Sequence, residues 1–405
     1  MPMTDSRETS GPGGGAQEAG CGGPLSGITV LEFCQVAAGP FCGMLFADMG
    51  ADVIKIEGRG GDSMRQWPPF NNGYSENFAS LNRSKRSIAL DLKQPDDLDV
   101  ARRLARTADI LIENNRPGVM KRLALDFDSL SKENPRLVYC SISAYGQSGP
   151  RAQEGGFDLT IQGVAGVMGV TGEAGRPPVK CGVPISDFSA GLYAAYSALA
   201  LVFEAQRTGR GGHVDVSMMG TTLGVSALQT SQYFGTGVDP VPLGSAHPRN
   251  APYQAFAAAD GYFVMAAGND KLWASVCEIV GRPDLRADAR FASQLDRATH
   301  QSELKDILER EFAKAPVADW LGRFAAAGVP SGPINSISQA LADPQVTHSG
   351  WVQDIALPGG GRSRTFGPPV RIIDRAPPAI RPPPALDEHG AEIRGSLVSK
   401  TEAAE

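Results

Sequence analysis

The chain has 405 residues, 42% of them hydrophobic and 20% charged, and a formal net charge of −6. That length exceeds a single hydrophobic core, so two domains are expected, with the composition of a folded globular protein. No dense Lys/Arg stripe runs through it, which argues against nucleic acid or an anionic membrane as principal partner.

The six cysteines (Cys21, Cys34, Cys42, Cys140, Cys181, Cys277) form no C-x-x-C pair. This argues against a zinc site or a disulfide framework and fits a reducing compartment, the cytoplasm. The five histidines are far apart with no H-E-x-x-H spacing, so no metal is expected. The longest uncharged apolar run, Phe188 to Phe203, contains serines and a glycine and is short for a bilayer span. Residues 1–24, rich in Gly, Ser and Glu without an apolar stretch, read as a disordered tail rather than a signal or transit peptide.

In chain order, Ile28 to Phe33 reads as a strand, Gly39-Pro40 opens a helix to about Met49, and Ala51 to Glu57 is a second strand. This β-α-β signal implies a parallel sheet. The turn CQVAAGP carries one glycine instead of a dinucleotide fingerprint, so NAD is not expected. Arg59 to Asn82 reads as an irregular loop, long enough to be functional or mobile. In it, Arg65 is either a partner for a substrate carboxylate or a solvated charge. Strands follow at Lys85–Leu92, Asp109–Glu113 and Leu137–Ser141, with helices at Asp96–Thr107, Val119–Leu123 and Asp128–Glu133. Asn114 falls at the carboxyl end of a strand, where open α/β sheets collect ligands.

The stretch Gly155 to Val216 is the most informative. After a Gly/Pro-rich break, an apolar run stops at Ser186-Asp187, and a helix is predicted from Phe188 to Gln206. Asp187 thus sits at a helix mouth among small residues. Two readings fit: an N-cap accepting hydrogen bonds from the first turn, or a carboxylate nucleophile kept ionised by those N–H groups and the positive helix end. The strand His213–Ser217 follows, then a helix Met218–Thr236, a hairpin over Tyr253–Ala266, and helices at Asp270–Val280, His300–Lys314 and Val317–Ala327. Ser331 to Asn335 reads as a turn, and strand-like segments Trp351–Leu357 and Arg364–Ile373 precede a Pro-rich segment that is either an ordered strap or a linker. The expected division is a large α/β domain over 25–219, a smaller α+β domain over 220–329, a return to the large domain over 330–395, and a tail over 396–405.

The segments LSGITVLEFCQVAAGPFCGMLFADMGADVIKIE, LNRSKRSIALDLK, ADILIENNRPGVMKRL, GGFDLTIQGVAGVMGVTG, the SDFSAG turn and RTGRGGHVDVSM stand in the order and spacing of a known family. The chain resembles the class III coenzyme A transferases, the formyl-CoA and carnitine-CoA transferase superfamily, which also contains α-methylacyl-CoA racemase. The resemblance covers Leu25 to about Ile373. It implies a Rossmann-like large domain in an interlocked, ring-like homodimer. It also implies CoA transfer between an acyl-CoA and a carboxylic acid, with acyl-CoA as substrate and no metal or NAD.

In such enzymes the nucleophile is the aspartate entering the helix after the Gly/Pro break, here Asp187, which passes through a mixed anhydride and an aspartyl-CoA thioester. Backbone N–H groups near Phe188 and in the loop around Gly244 would stabilise the oxyanion. The family also implies a CoA site formed by Gln35, Val36, Ala38, Arg59, Leu90, Lys93, Asn114 and Arg122; Lys93 and Arg122 read equally as solvated charges. Asn115 stands where the family has an aromatic residue. At the His-Asp dyad of the racemases this chain has Phe157-Asp158. A phenyl ring cannot accept a proton, so racemase chemistry is disfavoured. Asp158 either orients substrate or is a buried, hydrogen-bonded carboxylate. GSAHPRNAPYQAF and GVPSGPIN resemble the succinyl-CoA:dicarboxylate branch, including succinate–glutarate transferases, with Arg65 and Arg116 as partners for a distal carboxylate. The alternatives are a 2-methylacyl-CoA racemase and a non-catalytic acyl-CoA-binding protein.

Overall fold

A computed structural model describes residues 22–402. The tail expected over 1–24 therefore lies almost wholly outside the described residues. The chain divides into two compact units. One comprises the residues up to Ile142, Gly191–Asp215 and the chain from Gln353 onward; the other comprises Ser143–Ala190 and Val216–Val352. The segment from Ser143 to Ala190, expected in the large domain, groups with the second unit, and the limit near residue 329 moves to 352. The reason is local packing: Met219 donates its N–H to the Ala144 carbonyl at 3.0 Å, and the helix Asp158–Val164 packs on Met218–Val225.

The first unit is built on strands β1 (Thr29–Phe33), β2 (Asp52–Glu57), β3 (Arg86–Ala89), β4 (Ile110–Glu113), β5 (Val138–Ser143) and β6 (Gly212–Ser217). Their order in the sheet is β3-β2-β1-β4-β5-β6, that of a doubly wound α/β fold. The pairings from β3 through β5 are parallel. Runs such as TVLEF and VYCSIS are buried along nearly their whole length, as expected for strands covered on both faces. Leu31, Ile54, Ile88, Leu111 and Tyr139 form the core with Ala101 and Leu104 of the helix Pro95–Thr107. Helix α1 (Ala38–Asp48) follows β1, and at Gly43 it lies so close to β1 that a Cβ would fall 1.9 Å from Glu32 Oε2.

Two expectations change in this unit, and one left open is decided. Arg59–Asn82 is folded: a short 3-10 turn at Ser63–Gln66 capped by Asp62, a two-residue hairpin, and a helix Glu76–Asn82 capped by Ser75. The Pro-rich segment is an ordered strap. Ser84 N–H donates to the Arg381 carbonyl and Arg381 N–H donates to Ser84 Oγ, each at 3.0 Å, and the Pro384 carbonyl accepts from Arg65 and Tyr74. The chain beyond it is no tail up to residue 402, because a helix runs from Gly390 to Glu402 and buries Ile393 and Leu397 in the core.

The second unit contains helix α2 (Asp158–Val164), the start of helix α3 (Ile185–Thr208) and helix α4 (Met218–Val225). The helix predicted over Met218–Thr236 is two, interrupted at Ser226. Strands β7 (Tyr253–Ala258) and β8 (Gly261–Ala266) form the expected hairpin. The expected turn after Val329 is instead a short strand, β9 (Ser331–Pro333), antiparallel to β8. Phe256, Phe263, Phe312, Trp320 and Phe324 pack edge-to-face and tilted against one another beneath the hairpin, contacts that add to simple area burial.

Helix α3 is longer than the apolar run read from the sequence. By length and composition it could cross a membrane. It buries Ala190, Ala194 and Ala198 at i, i+4 and i+8, the stripe of a helix packed on a core.

Candidate active site

Helix α3 begins at Ile185, three residues before the expected start, so Asp187 lies within its first turn and is not the cap. This overturns the expected electrostatics. The first-turn N–H groups are engaged elsewhere: Ile185 donates to the Val183 carbonyl at 2.8 Å and Phe188 to the Pro184 carbonyl at 3.1 Å. Ser186 N–H goes to Asp158 Oδ1 at 2.9 Å. Among the described residues no cation pairs with Asp187. Burial, and then the negative charge of Asp158, push its carboxyl up to about 7 instead of holding it ionised. The group is thus half-buried, basic for a carboxylate, and flanked by the small residues Ser186, Ser189 and Ala190.

Asp158 opens α2 and is hydrogen-bonded on both oxygens, to Ser186 N–H and to Gln162 Nε2 at 2.7 Å. The fully buried Gln162 passes its other end, Oε1, to Cys181 N–H at 2.8 Å. Asp158 therefore ties α2 to the turn that carries Asp187. Two expected oxyanion donors are occupied here: Phe188 N–H as above, and Gly244 N–H, which bonds the Gly172 carbonyl at 2.7 Å. Phe157 is 76% exposed, and a phenyl group offers no base at that position.

In the first unit a cleft of about 500 Å³ opens at the carboxyl ends of β1, β2, β3 and β4, where the strand order reverses and doubly wound sheets bind ligands. Gln35, Arg59, Leu90, Lys93 and Arg122 line it, as does Asn115. Three cationic side chains beside apolar Phe33, Ile56 and Met120 suit a nucleotide with phosphates. Arg59 is loosely paired with Asp91 at 3.8 Å and is 74% exposed, free to swing onto an anion.

Val36, Ala38, Asn114 and Arg116 do not line the cleft. Asn114 clamps the backbone of Gln35, accepting its N–H at 3.0 Å and donating to its carbonyl at 2.8 Å. Ala38 is buried as the first residue of α1. Arg116 is exposed and makes no ion pair among the described residues.

Arg65 is not available to a substrate. Its guanidinium grips Glu57 at 2.8 and 2.6 Å, donates to the Pro384 carbonyl at 3.0 Å, and stacks 3.8 Å from the Phe78 ring centre. Behind the cleft lies a cluster of buried charges that sequence reading passed over. Lys55 pairs with Glu32 at 2.9 Å and with Asp62 at 3.0 Å, and Lys85 pairs with Glu32 at 2.7 Å. Burial pulls Lys55 down, but Glu32, Asp62 and Glu57 outweigh it and hold the ammonium above the ordinary lysine value. The signal was present: Glu32 and Lys55 interrupt two apolar strands with opposite charges and are register partners. Gln162 left no comparable sign.

The sequence matches CoA-transferase family III over residues 25–390. It is 40% identical to the succinate–glutarate CoA-transferase of Agrobacterium fabrum over 92% of this chain and 96% of that one. It is 38% identical to the acetyl-CoA:oxalate CoA-transferase of Acetobacter aceti over 92% and 95%. The structure superposes on a CAIB/BAIF family protein from Brucella suis with a TM-score of 0.83 at 37% identity, over 93% of this chain and 99% of that one. With a doubly wound sheet, a cation-lined cleft at its switch point and a half-buried aspartate in a helix's first turn, the chain belongs to CoA-transferase family III.

Proposed function

We propose that this acyl-CoA:carboxylate CoA transferase moves CoA between a dicarboxylyl-CoA such as succinyl-CoA and a second carboxylic acid, with Asp187 as nucleophile. A carboxylate oxygen of Asp187 attacks the thioester carbonyl, the C–S bond breaks, and CoA leaves as thiolate from a mixed anhydride. The thiolate then attacks the Asp187 carbonyl carbon, giving an aspartyl-CoA thioester and the free donor acid. The acceptor carboxylate attacks that thioester, and the returning thiolate takes the acceptor's acyl group and restores Asp187. Each step exchanges one activated acyl group for another, so neither water nor an external energy source enters the balance. Exclusion of water is the main demand on the protein, since both intermediates hydrolyse.

The observation that carries this reading is the setting of Asp187: a half-buried carboxyl in a helix's first turn, near Asp158 and paired with no cation among the described residues, a setting that pushes it up to about 7. Greater basicity makes a better nucleophile, and small neighbours leave room for a thioester. Lys93, Arg122 and Arg59 would hold the CoA phosphates, and Asn115 the adjoining part of the cofactor. The dicarboxylate preference is supported by the named relatives, with exposed Arg116 the remaining partner for a distal carboxylate.

The proposal includes an interlocked homodimer, supported by large apolar side chains left exposed in the single chain, among them Tyr196, Phe203 and Phe234. It includes a reducing cytoplasm, supported by the five described cysteines being free thiols. Incubation with succinyl-CoA and a panel of carboxylic acids, followed by mass identification of new thioesters, tests the activity. Hydroxylamine added during turnover should mark Asp187, and Asp187→Ala should abolish transfer; retained activity in that variant overturns the mechanism.

A further inference from the structure

We infer that Asp62, itself held by Lys55, is a positioning residue for CoA: its carboxylate keeps the Gln35–Val36 turn in the conformation that forms one wall of the cleft. The inference rests on the reading of that cleft as the CoA site.

The turn is strained. Val36 has φ +66°, a left-handed conformation that a β-branched side chain adopts only when its surroundings enforce it. The enforcement is visible residue by residue. The Val36 N–H points between both oxygens of Asp62, at 3.2 Å from each. Before it in the chain, the Cys34 carbonyl accepts from Lys55 Nζ at 2.8 Å. Between them, Asn114 holds both backbone groups of Gln35. Three consecutive residues are thus gripped by side chains from β2, from the chain after β4 and from the loop after β2, and Gln35 is left facing the cleft.

Asp62 is in turn aimed from several sides. Its own N–H donates to Glu57 Oε2 at 2.9 Å, its Oδ1 accepts from Met64 N–H at 3.0 Å, and its Oδ2 pairs with Lys55 at 3.0 Å. Lys55, Glu32 and Asp62 are shielded from water, with side-chain exposures of 0%. Buried ion pairs of this kind contribute little net stability compared with apolar replacements, whereas they do fix geometry. Their effect here is to hold a costly backbone turn at the lip of a ligand cleft.

The test is a double-mutant cycle on the intact enzyme, read as KM for succinyl-CoA and kcat separately. Asp62→Ala should raise KM by about tenfold with kcat within about threefold. Glycine accepts a positive φ without a clamp. Adding Val36→Gly to Asp62→Ala should therefore bring KM back to within about threefold of Val36→Gly alone. If Asp62→Ala is insoluble, Asp62→Asn, which keeps the shape but loses the charge, is measured against the same criteria. An unchanged KM, or a KM defect that Val36→Gly leaves untouched, overturns the positioning role. Lys93→Ala and Arg122→Ala separate the two levels. If they raise KM while Asp62→Ala does not, the cleft reading stands and only the positioning role falls. If neither raises it, the cleft is not the CoA site and both readings fall.

Discussion

Replacing Asp187 by asparagine should make the protein more stable, and increasingly so as pH rises. In the fold this carboxyl keeps its proton up to about pH 7, against 3.8 for the same group in ordinary surroundings. Between those values the native state binds more protons than the unfolded chain, so stability falls as pH rises through the window and levels off above it. A shift of about 3 units at about 1.4 kcal/mol each gives a ceiling near 4 kcal/mol. About half of it, roughly 2 kcal/mol, develops between about pH 5.5 and pH 8. Asparagine has the same shape and no charge to bury, so it avoids the whole loss. Urea denaturation of wild type and Asp187→Asn at the two pH values gives the difference directly. The variant's advantage should be larger at pH 8 by roughly 2 kcal/mol. An advantage independent of pH, or a loss of stability, would show that Asp187 is not held in an unfavourable ionised state.

The same ionisation should govern turnover: kcat/KM for succinyl-CoA should rise with pH up to about 7, close to tenfold per unit on the acid side, and a profile flat from pH 5 would remove Asp187 as the controlling base. Arg65→Ala should cost about 3 kcal/mol by leaving the buried Glu57 carboxylate without its guanidinium; the KM for the acceptor acid in the soluble variant should not change, as equilibrium denaturation and steady-state kinetics can check. Gly43→Ala should lower the melting temperature, since its methyl would fall 1.9 Å from Glu32 Oε2 and must push that buried carboxylate off Lys85; a variant with unaltered melting temperature would contradict the packing of α1 on β1.

Strand and helix positions in the first unit were legible because buried parallel strands write themselves as short apolar runs between polar, helix-forming segments, and most were placed within a residue or two. What was not legible depends on distant chain. The Arg59–Asn82 segment reads as a loop because its helix is short and finds its packing only in tertiary structure, on α1 and, through Ala79, on Ile355 and Leu357 far along the chain. The hidden role of Arg65 has the same origin: a guanidinium in a polar stretch looks available until Glu57, Phe78 and Pro384 are seen around it. Asp187 itself was put forward as nucleophile from family resemblance and local texture. Its electrostatics came out reversed because the helix begins three residues early, a boundary shift small in sequence and decisive for which N–H groups are free.

That reversal bears on how the proposed chemistry is driven. A carboxylate stabilised by a helix N-terminus would be a weaker nucleophile, and acylation would forfeit the stabilisation. Asp187 does lie in the first turn of α3, but burial and Asp158 push the other way and prevail. The ionised Asp187 is disfavoured by burial and by the neighbouring Asp158 charge, and anything that neutralises it relieves both. Protonation relieves them, and so does formation of an anhydride or a thioester at the same oxygen. The free energy that shifts the proton equilibrium is therefore also available to shift the acyl equilibrium toward the covalent enzyme, up to the same few kcal/mol. Asp158 is suited to this because its own oxygens are satisfied by Ser186 N–H and Gln162. It stays in place while the charge beside it comes and goes.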